Sequence, residues 1–370
     1  VLAAFNVAQR NAAKYRQRHE QLISDIRKLA GEINLKFLFD SDRKLFTIGY
    51  NVSTGRMDNS FYDLLASEAR FGGYVAIARG DIPMEHWFTM GRPHAQIGRN
   101  RVLLSWTGTM FEYLMPRIFL RSYRYSLLDK AARNAIEVQI AYGRRNKIPW
   151  GISESAFGDL DFHKTYQYKA FGVPKLGIKK VLEDQLVVSP YSTLMAVGVM
   201  PQEVVGNLRD LDRLGMLNEY GYFEAIDFRR QPERDGQRGV KIKAYMAHHQ
   251  GMGLLAVTNF LHNNIFQRRF HTDPRARAFE PLLQEKIPTL PPLQLTATRE
   301  RSTSQLEDSA DIPASGVFET PHTSMPKTQV LCNGRYDLMI THTGGGYSKW
   351  QGQEINRWRS DRTCDQWGNY

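Results

Sequence analysis

Only two cysteines, Cys332 and Cys364, occur in 370 residues, and both lie near the C-terminal end. Two such residues build neither a disulfide framework nor a metal knuckle, so a reducing compartment is favoured. No apolar run approaches the roughly 20 residues that cross a bilayer. No charged-then-apolar leader precedes a small-residue cleavage site. A phosphate-cradling P-loop, a Gly-x-Gly-x-x-Gly turn after a strand and a Gly-x-Ser-x-Gly elbow are all missing, which argues against nucleotide and serine-hydrolase chemistry. His-Glu-x-x-His is missing too, and the adjacent His248 and His249 point about 100° apart on a helix, so they do not chelate one ion. Neither a metal nor a cofactor is expected.

Positive charge is in surplus, with a formal net charge of +11, which raises the question of a nucleic-acid partner. The basic residues are scattered in pairs, Arg144-Arg145, Lys179-Lys180, Arg229-Arg230 and Arg268-Arg269, and no helix face collects them. Without a helix-turn-helix, a zinc finger or a ribonucleoprotein motif, a solvated basic surface is expected and nucleic acid is not. The chain opens on Val1 without Met and closes on Trp367-Gly368-Asn369-Tyr370, which reads as mid-domain. A piece of a longer protein is expected.

Residues 1–33 read as one helix. From 34 to 285 an amphipathic helix alternates with a long loop rich in Gly, Pro and aromatics, and strand-like alternation is sparse. The spacing predicts helices over 17–33, 60–80, 101–115, 126–146, 191–198, 201–215 and 244–266. Helices joined by aromatic-rich loops predict a mainly α fold, an (α/α)6-toroid-like barrel whose loops gather at one end as a cleft. Twelve helices need more chain than this, so the barrel is expected to be incomplete. Residues 286–326, with six prolines and many Ser and Thr, predict a linker or an extended wrap. Beyond it, Asn333-Gly334 between Thr328–Cys332 and Tyr336–Thr341 is a hairpin signal, and Gly344–Ser348 supplies another turn. Residues 327–370 predict the opening strands of a β-sandwich.

The chemistry is densest in Trp150-Gly151-Ile152-Ser153-Glu154-Ser155-Ala156, followed by Thr165-Tyr166-Gln167-Tyr168. Sugars are bound in such surroundings, with C–H faces stacked on rings and hydroxyls bonded to short polar groups and carboxylates. A carboxyl among apolar groups can also have its pKa raised, as a general acid requires. The same string fits a Trp-Gly turn with Glu154 on a solvated loop. On a helix over 60–80, Glu68 projects within about 20° of Phe61, inside an apolar stripe. A buried carboxylate must be bonded, paired or facing a cavity, so Glu68 is either a packing residue bound to Arg or Tyr or a partner for Glu154. Asp63, three after Ser60, fits a capping box and is left out of the catalytic set. Glycosidic cleavage needs one carboxyl to protonate the leaving oxygen and another as nucleophile or base.

Further candidates are Trp106 and Glu112 in Ser105–Glu112, Glu224 with Asp227 in Gly221–Asp227, and His248, His249 and Gln250. Each also fits a core, capping or packing role.

Read together, several strings become recognisable: Phe37–Asp40 through Leu45–Asn51, Tyr62–Arg70, His86-Trp87-Phe88, Ser105–Pro116, Trp150–Ala156 and Tyr245–Met252. In order, over about 34–285, they resemble the glycoamylase-like domain of cyclic β-1,2-glucan synthases. The tail, with Asn333-Gly334-Arg335-Tyr336 and Gly346-Tyr347-Ser348, resembles the first strands of the phosphorylase-like domain that follows in those synthases. The resemblance implies an (α/α)6 barrel acting on linear β-1,2-glucan by intramolecular transglycosylation, with Glu154 as acid/base and Glu68 as nucleophile. Trp150, Tyr166, Tyr168, Trp106, Glu112, Glu224, His248, His249 and Gln250 are then expected to contact substrate. The same resemblance implies a larger membrane-anchored synthase of the bacterial inner membrane, with this domain on the cytoplasmic side. Two alternatives stand beside it: an inverting endo-β-1,2-glucanase, with Glu68 orienting water or binding sugar, and a non-catalytic carbohydrate-binding domain.

Overall fold

A computed structural model describes residues 2–52, 55–160, 165–179, 185–230, 238–287, 328–333, 335–342, 344–351 and 353–356. They fall into two units, 1–297 and 298–370. The expected linker at 286–326 lies outside the described residues apart from Lys286 and Ile287.

Among the described residues of the first unit ten α-helices follow one another: α1 (Leu2–Glu32), α2 (Arg70–Arg79), α3 (Glu85–Thr89), α4 (Met110–Leu114), α5 (Leu127–Asn146), α6 (Pro190–Met195), α7 (Pro201–Arg213), α8 (Ala247–Leu261), α9 (Ile265–Phe270) and α10 (Pro274–Ala278). The helices expected at 126–146, 191–198, 201–215 and 244–266 correspond to α5 to α8, with ends shifted by a few residues. α5 is the clearest case. Ser126 caps it by accepting from the Asp129 N–H, and one face buries Ala131, Ala135, Val138 and Tyr142 at helical spacing. α1 has no buried residue.

Two expected helices are not as the spacing suggested. Over 61–66 the chain is extended and bridged, Phe61 to Thr47, Leu64 to Gly91 and Ala66 to Ser105, and 68–69 form a turn. Helix α2 starts only at Arg70, whose buried guanidinium donates to the carbonyls of Ser67, Glu112 and Tyr113. Tertiary pairing overrode the local 3.6-residue pattern. No helix begins at Ser60, so the capping-box reading of Asp63 fails. Over 101–115 there is first a strand, Asn100–Leu103, antiparallel to His94–Ile97. A loop and then the short α4 follow it. Strands are also less sparse than expected: the first unit carries six small sheets among the described residues.

One core runs through this unit, joining Trp87, Tyr74, Leu103, Met110 and Ile136 to Trp150, Phe171, Val188 and Ile226. No helix of the described residues is long and apolar enough to cross a membrane. In the second unit, Thr328–Cys332, Tyr336–Thr341, Gly346–Trp350 and Gln353–Asn356 form an antiparallel sheet in chain order. Thr328 faces Thr341 and Cys332 faces Asp337, the hairpin that Asn333-Gly334 signalled.

Candidate active site

Glu154 is aimed by the buried segment before it. Asn207 clamps Trp150, taking its N–H at 2.9 Å and donating to its carbonyl at 2.7 Å. Gln139 clamps Ile152 in the same way, at 2.8 and 2.9 Å. Between them Gly151 has φ +115°, and a Cβ there would meet the Thr193 and Ser192 hydroxyls at 2.7 and 2.8 Å. Only glycine takes this corner without strain. From it the chain enters the strand Glu154–Leu160, antiparallel to Tyr166–Ala170. Ala156 pairs with Tyr168, so Glu154 and Tyr168 are diagonal neighbours on one face of the ribbon. The Tyr168 hydroxyl donates to Glu154 Oε2 at 3.3 Å.

Glu68 sits on the turn between the bridged segment and α2, half-buried, with the Ser67 hydroxyl at 3.3 Å from its Oε2. Burial pushes its carboxyl from 4.5 up to about 7, and the charges of Glu112 and Glu154 add to the rise. Burial also raises the Glu154 carboxyl, followed by the charge of Glu112, while the Tyr168 hydrogen bond and His249 oppose the rise. Tyr62 was not anticipated as a site residue. Its phenol is raised by burial and then by the charges of Glu68 and Glu154, which puts it within reach of both fields. Among the described residues neither Glu68 nor Glu154 has an ion-pair partner. Two half-buried carboxyls in one field tend to hold a single proton between them.

Glu112 is different. It is buried at the N-terminus of α4, and its Oε1 accepts from the backbone of Trp106 and Thr107, both at 3.0 Å. Its Oε2 accepts from the hydroxyls of Ser105, Thr107 and Thr109 and from the Thr109 N–H, at 2.8 to 3.0 Å. With its lone pairs taken, Glu112 organises the loop and does not contact a sugar directly. Trp150 is a second correction, since its indole is 6 % exposed and lies in the core. Trp106, 40 % exposed, remains a candidate platform. Its indole N–H donates to Asp63 at 2.8 Å, which fixes the ring edge and gives Asp63 its role.

Glu224 and His249 are each 1 % exposed. His249 Nδ1 lies 2.8 Å from Glu224 Oε1, and its Nε2 lies 3.3 Å from the Tyr168 hydroxyl. Both residues are too deep to touch a polysaccharide, contrary to expectation. Tyr191 was not anticipated either: it stacks on the His249 ring, centroids 3.8 Å apart, with its hydroxyl 2.9 Å from the Glu154 carbonyl. Asp227 is spent on the Arg229 guanidinium and the Gly158 N–H. His248 is exposed, Tyr166 is half-buried, and Gln250, also half-buried, donates to the Tyr222 carbonyl. Among the described residues no His, Cys, Asp and Glu group has a metal-binding arrangement.

Comparison with known proteins bears on this geometry. The Glycoamylase family model, described as "Putative glucoamylase", matches residues 61–274. That of the glycosyl hydrolase 94 supersandwich domain matches 314–370. The cyclic β-(1,2)-glucan synthase NdvB of Rhizobium meliloti (strain 1021) is 40 % identical over 357 residues, 96 % of this chain. The chain spans 12 % of that synthase's length. An endo-β-1,2-glucanase from Chitinophaga pinensis, solved with sophorotriose and glucose, superposes with a TM-score of 0.56 at 15 % identity, covering 72 % of this chain and 65 % of that one. A β-1,2-glucanase from Parabacteroides distasonis gives 0.56 at 13 % identity, covering 72 % and 41 %. At these identities the likeness concerns the fold.

Proposed function

The chain belongs to the Glycoamylase family, and on that premise we propose that its first unit cleaves and re-forms linkages of linear β-1,2-glucan. The observation that carries this reading is the pair Glu68 and Glu154: half-buried, without a cation partner among the described residues, and close enough for Glu154's charge to raise Glu68. A singly protonated pair is the starting state of a two-carboxyl glycosidase. Glu154 is the acid/base and Glu68 the nucleophile. Glu154 protonates the leaving glycosidic oxygen while Glu68 attacks the anomeric carbon. The chain's own non-reducing end then gives its hydroxyl proton to Glu154 and displaces Glu68, closing a ring. Trp106 stacks a sugar face, and Tyr168, Tyr166, His248 and Gln250 line its approach. The helices form part of an (α/α)6 toroid, completed by further chain of a larger synthase. That synthase is anchored in the bacterial inner membrane, with this unit on the cytoplasmic side.

The raised Glu68 carboxyl favours a second reading, with the two roles exchanged. A β-1,2-linked oligosaccharide carrying a dinitrophenyl leaving group separates the two, because that group departs without a proton. Under the first reading the Glu154→Gln variant keeps its first-step rate on this substrate and Glu68→Gln does not. Under the second reading the outcome reverses. On linear β-1,2-glucan, cyclic products support transfer and short linear products support hydrolysis. Unchanged glucan with the wild-type chain overturns the enzymatic reading.

A further inference from the structure

Three groups stand behind Glu154 in one unbroken line, the exposed Tyr168 first and then the buried His249 and Glu224. The Glu154 carboxyl meets the Tyr168 hydroxyl at 3.3 Å, the hydroxyl meets His249 Nε2 at 3.3 Å, and His249 Nδ1 meets Glu224 Oε1 at 2.8 Å. The far end is sealed: His249 and Glu224 are each 1 % exposed, and Tyr191 lies flat on the imidazole. Glu224 Oε1 also accepts from the Ala156 N–H at 3.3 Å, while its Oε2 is buried with no hydrogen-bond partner among the described residues. A buried carboxylate left half-satisfied is costly in a folded protein. That cost is reduced when the neighbouring imidazole is a cation.

We propose that Tyr168, His249 and Glu224 form a proton relay that loads and unloads Glu154, with the buried Glu224–His249 pair as its store. The inference rests on Glu154 being the proton donor. Tyr168 has one hydroxyl proton and two partners that want it, which makes the relay coupled. When Glu154 is ionised, Tyr168 donates to it, and Nε2 can then meet the phenol oxygen only by carrying a proton itself. When Glu154 is protonated it donates to Tyr168, which donates to a neutral Nε2. Moving the Nε2 proton to the phenol oxygen, as the phenol proton passes to Glu154 Oε2, converts the first state into the second. No proton is gained or lost, and Nδ1–H stays on Glu224 throughout. The groups facing this line are His248 and Tyr191 at the imidazole, and Glu112, Glu68 and Tyr62 around Glu154. Tyr168, His249 and Glu224 thus act through Glu154 as positioning residues.

The test uses the full chain and two readouts. On linear β-1,2-glucan, Tyr168→Phe and Glu224→Gln lower kcat by about tenfold, a fraction of what general acid catalysis supplies. On the dinitrophenyl oligosaccharide Glu224→Gln, which is too buried to touch substrate, keeps the wild-type first-step rate, and equal losses on the two substrates overturn the relay in favour of a structural role. Glu154→Gln on the same pair of substrates tests the donor assignment separately. The second readout needs no turnover: nitrogen NMR of the histidine-labelled chain, with His249 assigned by a His249→Asn variant. Glu154→Gln shifts the Nε2 resonance in the wild-type background, and leaves it unmoved once Tyr168 is Phe. An equal shift in both backgrounds means that Glu154 acts on His249 through space alone, and the relay fails.

Discussion

Glu112 and Glu154 are carboxylates of the same site, near enough for one to raise the other's pKa, yet their surroundings are opposite. Glu112 is surrounded by six donors from a single loop and by its own helix start. Among the described residues the Glu154 carboxyl takes one hydrogen bond, from a phenol on the facing strand. A carboxylate whose lone pairs are all engaged is fixed and has nothing left to offer a substrate. One held by a single weak contact, beside another acid, has a proton to give. Glu68 falls on the second side of this contrast.

Substitution should split the two sides. Glu154→Gln should lower turnover of linear β-1,2-glucan by about 10²- to 10⁴-fold, the range for lost general acid catalysis, with an unchanged melting temperature. Glu112→Gln should do the reverse. An amide nitrogen facing several donors leaves them unpaired, at about 3 kcal/mol in unfolding free energy, while turnover per folded molecule stays close to wild type. Denaturant melts of the two variants, read beside initial rates, check both.

Acidity gives a third way to sharpen the contrast. The folded-state carboxyl of Glu68 is raised, so the folded protein holds a proton that the unfolded chain releases. Its contribution to stability is present in full below pH 4.5 and is lost as pH rises through about 7. Melting temperatures across that window should fall, and Glu68→Gln should flatten the slope. The rate should move the other way: with Glu68 as nucleophile, kcat/KM climbs as pH rises through about 7. A rate that falls over the same window supports the exchanged roles. The smallest effect is expected from Trp106→Ala, which should raise KM several-fold at nearly constant kcat, in line with about 1 kcal/mol for one lost stacking contact.

The sequence points to several residues of the candidate site, for a reason that differs from residue to residue. Glu154 stands out in the sequence because Trp, Ser and Tyr around an acid are sugar-friendly surroundings that can raise its pKa. Of these, Trp150 turned out to serve the corner and not the sugar. Glu68 was found by projection onto a helix that does not exist there, and its half-burial comes from the turn before α2. Tyr62, Tyr191 and the dependence of Glu112 on its own loop were not legible, because they depend on contacts between segments far apart in the chain. Helices with caps and a strong apolar face, such as α5, were read correctly. Short strands whose partners lie far along the chain, such as those around 61–66, were not.

The most direct measurement is the fate of linear β-1,2-glucan with the wild-type chain and with Glu154→Gln, read by mass spectrometry of the products beside a melting curve of each protein. The account predicts cyclic glucans, lighter than their linear counterparts by one water, from the wild type. It predicts intact substrate from a variant that melts at the same temperature. Cyclic glucans made by Glu154→Gln at a comparable rate would contradict it.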